Sequence, residues 1–191
     1  KNMINRKNYI IKPSDSRGAR GVFLINNKYK KMQLKNFFNE SKKESSEKKI
    51  LLEDYLNGPQ ISTEGIFIKK KYKTIGFSDR NYSRLEKTKP YVIEDGGSMP
   101  SKITKNMQNK IDILLSNACK SLGINFGTIK GDVVIYKNVP YIIELAARIS
   151  GGYMATHTIR MVYNFDLVKF LIKELCDIKQ IVKVNHPKKD Y

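Results

Sequence analysis

This chain of 191 residues is poor in the residues from which many reactive sites are built: two cysteines, two histidines, and seven arginines against 29 lysines. Cys119 and Cys176 lie in apolar helical patterns with no partner at metal-ligand spacing. That excludes a zinc ribbon or a disulfide framework and predicts two buried, reduced thiols. His157 and His186 are isolated; His157 follows the Gly151-Gly152 turn and is a candidate to face a site, with a structural role as the plainer reading. No signal-peptide pattern and no long apolar run occur, which predicts no membrane span and a cytoplasmic setting. Internal repeats and low-complexity segments are also missing.

Acids are scarce, 18 against 36 bases, and the formal charge is +18. Such a charge raises nucleic acid as a partner. Base and phosphate recognition, however, favour arginine for its planar fork, and here the excess is lysine. Lysine, asparagine and isoleucine are abundant together, which reads as a drift of the whole composition. A nucleic-acid-binding role is therefore the least favoured reading. The length and a hydrophobic fraction of 40% suit one domain or two small lobes with a real core.

Tyr9 to Lys12 reads as a short strand ending at Pro13, followed by a polar, glycine-bearing loop, Ser14 to Gly21, and a second strand, Val22 to Ile25. Leu34 to Phe38 suggests a short helix, and Glu40 to Lys49 an exposed loop. Ile50 to Leu56 reads as a strand running into the turn Asn57-Gly58-Pro59, which places a lobe boundary there, 1–57 and 58–191. Beyond it, Ile61–Ile68 and Tyr72–Phe77 form a hairpin around Lys69-Lys70-Lys71. A loop from Ser78 to Pro90 carries Arg80 and Arg84, Tyr91–Asp95 reads as a short strand, and Gly96-Gly97 breaks it. Ser101–Leu122 is helical by its spacing. Two further helices are expected at about Tyr153–Val162 and Asp166–Cys176, with an extended tail from Lys179.

The run Tyr141-Ile142-Ile143-Glu144-Leu145-Ala146-Ala147-Arg148 carries the most chemical information. Alternation along a strand puts Ile142, Glu144, Ala146 and Arg148 on one face. An acid and a base on an otherwise apolar strand are costly unless paired or bound. In the preceding strand, Thr128–Tyr136, Lys130 and Asp132 share a face, and a turn at Asn138 would bring Asp132 and Glu144 to the same side. Two carboxylates with flanking cations suit a magnesium–nucleotide site; a surface ion pair between Glu144 and Arg148 is the simpler alternative.

Lys12 immediately precedes a loop whose backbone amides are free for phosphate oxygens. The order fits neither a Walker A loop, whose lysine follows the glycines, nor the protein-kinase arrangement. Taken in sequence, Ile10-Ile11-Lys12-Pro13 with its loop, Glu53-Asp54-Tyr55-Leu56, the strand Gly58–Gly65, Tyr91–Pro100, and the Asp132/Glu144/Arg148 set resemble the ATP-grasp superfamily. More specifically, they resemble carboxylate–amine ligases akin to carbamoyl-phosphate-synthase domains.

The resemblance implies an α+β ATP-grasp fold of two lobes, each with a mostly antiparallel sheet and helices, holding a nucleotide between them. It also implies that the family's amino-terminal domain is absent from this chain, which would then be a piece of something longer. Lys12, Ser14, Arg17, Gly18, Arg20 and Gly21 would hold ATP phosphates. Glu53, Asp54, Tyr55 and Leu56 would meet the adenine, and Glu64 the ribose. Asp132 and Glu144 would bind Mg²⁺, with Mn²⁺ as a substitute. Arg148 and Lys130 would be the catalytic cations, and Arg80 and Arg84 are candidates for a substrate carboxylate, with solvated charge as the plainer reading of both.

The implied reaction is formation of an acyl phosphate from a small carboxylate and its attack by an amine. One position departs from the family: the usual asparagine two residues after the bridging glutamate is Ala146, which cannot coordinate. A nucleotide-binding module that is catalytically incomplete is the resulting alternative.

Overall fold

The structure, a computed structural model, describes residues 7–68, 71–178 and Val184. The chain divides into two compact units, Lys1–Asn57 with Asn81–Gly96, and Gly58–Arg80 with Gly97–Tyr191. Asn81–Gly96 therefore groups with the first unit although it follows the Asn57-Gly58-Pro59 turn in sequence.

The first unit is a three-stranded antiparallel sheet of β1 (Tyr9–Pro13), β2 (Phe23–Ile25) and β3 (Ile50–Asp54) in the order β2-β1-β3. Helix α1 (Lys31–Glu44) covers one face. Ile11, Phe23 and Ile25 form the buried centre, packed by Leu34, Phe37 and Ile50, and the Phe23 and Phe37 rings stack at 4.9 Å. The helix is longer than its apolar residues suggest. Gln33 reaches back to accept the Lys30 amide at 2.9 Å, capping the first turn. At the other end, Ser41 is buried beneath Gly21, where a Cβ would stand 3.0 Å from the Ser41 Cα. The φ of Gly21, +67°, is likewise one that glycine tolerates best.

A short helix, α2 (Leu85–Thr88), belongs to the same unit. Tyr91–Asp95 is not a strand: it makes a single bridge, Phe23 to Tyr91. Asp95 instead closes a turn by accepting from the Ser83 hydroxyl at 2.6 Å and the Arg84 amide at 3.0 Å.

The second unit is built on a five-stranded sheet: β4 (Gln60–Ile68), β5 (Lys71–Asn81), β6 (Gly96–Ser98), β7 (Gly127–Tyr136) and β8 (Val139–Ala146), ordered β6-β5-β4-β7-β8. The glycine pair expected to break a strand thus forms one. Helix α3 (Lys105–Ser121) covers one face through Met107, Ile111 and Leu115, against Ile61, Phe77 and Val133. Full burial of side chains such as Ile111 and Leu115 contributes about 1.5–3 kcal/mol each. Gly131 lets the helix approach, since a Cβ there would lie 2.9 Å from Leu115 and 2.8 Å from the Thr63 hydroxyl.

The opposite face is partly covered by a π-helical segment (Met154–Thr158), α4 (Ile159–Tyr163) and α5 (Leu167–Leu175). Ala155, Ile159, Tyr163, Leu167 and Phe170 pack there on Ile66 and Ile75.

Two irregularities decide which residues face which side. The β7–β8 turn has Lys137 and Asn138 in the left-handed region, φ 49° and 62°, the geometry of a tight two-residue hairpin. From it the register runs Val134 to Tyr141 and Val133 to Ile142, then slips, so that Asp132 faces Glu144. The extra residue, Ile143, is a bulge. Ile142 consequently packs with Val133 on the α3 side, while Glu144 joins Asp132 on the other. Strict alternation had placed Ile142 and Glu144 together.

Cys119 is buried as expected, whereas Cys176 is exposed just past the end of α5. The extended tail expected from Lys179, and the turn lysines Lys69 and Lys70, lie outside the described residues, apart from Val184. Among the described residues no helix is long and apolar enough to cross a membrane.

Candidate functional site

The face of the second sheet opposite α3 is apolar at one end and polar at the other. Direct cross-strand partners share a face. The pairs Ser62–Asp132, Glu64–Lys130, Lys130–Ala146 and Asp132–Glu144 therefore line up across β4, β7 and β8. Asp132 is the centre of this row, with its side chain only 7% exposed. Its carboxylate accepts from the Ser62 hydroxyl at 2.6 Å, from the Arg80 guanidinium at 3.1 Å and from the Lys130 ammonium. Burial alone would raise its pKa; Arg80 and then Lys130 outweigh burial and hold the carboxyl below the usual range. Arg80 is not solvated loop charge: β5 continues to Asn81 and delivers it, largely buried, to Asp132.

Glu144 and Arg148 are different in kind. Their side chains are 53% and 50% exposed, and the closest approach between them is 3.7 Å. The ion pair suggested by the sequence exists, but it is loose and wet, worth at most about 1 kcal/mol. Both groups remain available to another partner. Arg148 also donates to the Ile149 carbonyl at 3.1 Å.

Glu64 does not stand open to a ribose. It is 0% exposed. One carboxylate oxygen accepts the Ser150 amide at 2.8 Å, and the other is buried without a hydrogen-bond partner, as is the Ser150 hydroxyl. Burial pushes its pKa up to about 7, against the opposing pull of Ser150, Lys130 and Arg148. Its burial depends on the turn after β8, which is remote in sequence. Ser62 and Ser150 are the site residues that sequence reasoning missed. The only signal for Ser62 was its position opposite Asp132 in the strand pairing.

In the first unit, Lys12 and Glu53 meet on the sheet face away from α1, with an Nζ–Oε2 distance of 2.8 Å. The lysine expected beside phosphates and the acid expected beside a base are thus direct neighbours. Ser14, Arg17, Gly18 and Arg20 are exposed, and Gly18 and Ala19 take left-handed φ of 66° and 57°. The loop is tied at its base: the Ser14 amide donates to the Lys49 carbonyl at 3.2 Å, and Asp15 accepts the Glu47 amide at 3.2 Å. Asp54 is exposed beside Lys7 at 3.9 Å, and Tyr55 and Leu56 are half-buried. Arg84 is exposed beside the Asp95 turn, in the first unit.

No cluster of three or more histidine, cysteine or carboxylate side chains able to hold a metal ion occurs among the described residues. Asp132 and Glu144, as register partners, offer a two-carboxylate donor set. That fits magnesium, which takes one or two protein carboxylates and fills its octahedron with phosphate oxygens and water. Ala146 sits opposite Lys130 and adds no ligand.

A family model described as an ATP-grasp domain matches residues 1–152. The chain belongs to the ATP-grasp domain family. Its two antiparallel sheets with attendant helices are the ATP-grasp fold. It is similar to dapdiamide A synthase of Enterobacter agglomerans, 24% identical over 155 residues that cover 75% of this chain and 33% of that protein. Among solved structures it resembles L-amino acid ligase from Bacillus licheniformis, with a TM-score of 0.71 at 18% identity, covering 89% of this chain and 39% of that one. It also resembles the biotin carboxylase domain of Hydrogenobacter thermophilus 2-oxoglutarate carboxylase, solved with MgADP, ADP and bicarbonate. Here the TM-score is 0.72 at 20% identity, covering 95% of this chain and 39% of the other. This ATP-grasp chain spans between a third and two fifths of the lengths of these relatives.

Proposed function

We propose that this chain is the ATP- and magnesium-dependent part of a carboxylate–amine ligase. The observation that carries the reading is the row of charge on the second sheet: a buried, ionised Asp132 held by two cations and directly opposite a half-exposed Glu144. Family membership supports ATP as the co-substrate.

In the first unit, Lys12 with the tethered Ser14–Gly21 loop would bind phosphate oxygens, Arg17 and Arg20 adding exposed positive charge. Glu53 to Leu56 would contact the base. In the second unit, Asp132 and Glu144 would hold Mg²⁺, which when bound neutralises phosphate charge and orients the transferring group. Asp132 must exchange at least one present partner for the metal. Its depressed pKa means that no proton has to leave first.

The γ-phosphoryl group would pass to a carboxylate oxygen of the substrate, with ADP as leaving group. An amine would then form the C–N bond and expel inorganic phosphate. Arg148, only loosely paired, would swing onto the transferring group and stabilise its charge, and Lys130 would balance the carboxylates. Such steps are accelerated mainly by positioning and charge stabilisation.

The test is to incubate the protein with ATP, Mg²⁺ and a panel of amino acids and other small carboxylates, and to trap acyl phosphate with hydroxylamine. Carboxylate-dependent hydroxamate matched by ADP supports the reading. ATP binding with no carboxylate-dependent turnover would favour the second reading, a catalytically incomplete nucleotide-binding module, which the non-coordinating Ala146 recommends.

A further inference from the structure

We propose that Glu64 is a positioning residue that fixes Arg148 by gripping the backbone of Ser150. This rests on the role given to Arg148 above. Arg148 lies midway along a short span. At its near end, Ala146 is held in the sheet opposite Lys130. At its far end, the Ser150 amide donates to the buried Glu64 carboxylate at 2.8 Å, a contact 86 residues apart in sequence. Between them, the Arg148 amide donates to the Ala146 carbonyl at 2.9 Å, a tight local turn. With both ends fixed, the arginine has little choice of where its side chain originates.

Downstream, Gly151 to Tyr153 are freer, before Ala155 packs against Ile66 and Ile75. Cβ atoms built at Gly151 and Gly152 would meet nothing within 4 Å, and Tyr153 is exposed at φ 63°. Local bonds such as Met154 amide to Gly151 carbonyl at 3.2 Å close the turn on itself, but they do not tie it to the sheet. Glu64 does, from the centre of β4. Its fully buried carboxylate with an unpartnered oxygen is costly to keep, and the Ser150 amide gives that burial a purpose. The contact needs an acceptor, not a charge, so glutamine should serve where alanine does not.

The experiment measures amide hydrogen exchange by mass spectrometry across Ile149–Met154, in the wild type, Glu64→Ala and Glu64→Gln. Exchange at Ser150 should rise by up to roughly 10-fold in Glu64→Ala, the effect of losing one ordinary hydrogen bond, and should stay near wild type in Glu64→Gln. If Glu64→Ala loses protection throughout β4 and β7, the glutamine variant decides. Retained protection at Ser150 supports the proposal, and its loss there with the strands still protected overturns it. Unchanged Ser150 exchange in a folded Glu64→Ala also overturns it.

Where hydroxamate formation is seen, a double-mutant cycle with Arg148→Ala adds a second readout. Glu64→Ala should slow turnover without weakening ATP binding, and should add no further loss in the double variant; fully additive losses contradict the proposal. The exchange measurement stands whether or not the protein turns over, so failure of the grip and failure of the ligase reading are distinguishable.

Discussion

Replacing Glu64 with glutamine should change how stability depends on pH more than it changes stability at low pH. The Glu64 carboxyl is pushed from 4.5 up to about 7 because the folded chain takes it out of water. A folded-state pKa above the unfolded value means that the folded chain holds the proton more tightly. The associated stability is fully present below about pH 4.5, falls as the pH rises, and is lost once the pH passes about 7. The difference between about 7 and 4.5, at 1.36 kcal/mol per unit, sets the loss at roughly 3 kcal/mol. Glutamine keeps the acceptor for Ser150 and has no charge to bury.

Asp132 acts in the opposite sense: its lowered pKa contributes stability that is lost as the pH falls. That contribution is common to both proteins and cancels in the comparison. Urea unfolding followed by circular dichroism at several pH values from 5 to 8 supplies the data. The wild type should lose about 2–3 kcal/mol relative to Glu64→Gln over this range. Two pH profiles separated by a constant offset would refute the reasoning.

Gly131→Ala should lower stability by about 1–3 kcal/mol, because the added methyl group meets Leu115 and Thr63 at under 3 Å; thermal unfolding checks this. Arg148→Ala should leave the unfolding midpoint nearly unchanged, since the side chain is half exposed, while reducing hydroxamate formation by ~10²–10³-fold. Lys12→Ala should raise the Kd for MgATP by roughly 10- to 100-fold, the worth of a hydrogen bond to a charged group, as measured by calorimetry.

The β7–β8 hairpin itself could be read from the sequence because its geometry is local. A two-residue turn at Lys137-Asn138 with strictly alternating strands would set Asp132 opposite Ile143; the bulge at Ile143 is what brings Glu144 opposite Asp132. The face of Ile142 could not be foreseen, because the Ile143 bulge leaves no mark in an apolar run. The burial of Glu64 and its bond to Ser150 join residues 86 apart. The contact of Arg80 with Asp132 required β5 to continue four residues beyond its last apolar residue, Phe77, into a polar stretch. Asn81–Gly96 groups with the first unit through Phe23–Tyr91 and the Leu24 amide on the Pro90 carbonyl at 2.7 Å, pairings that no periodicity announces. A motif carries residue order without recording which side chains a later turn will cover, as the Ser150 turn covers Glu64.

The central claim is that Asp132 and Glu144 serve a magnesium–nucleotide complex. The most direct measurement is calorimetric titration with ATP, with and without Mg²⁺, of the wild type and Glu144→Ala. The account predicts magnesium-dependent binding that Glu144→Ala weakens by an order of magnitude or more. ATP binding indifferent both to magnesium and to the loss of Glu144 would contradict it.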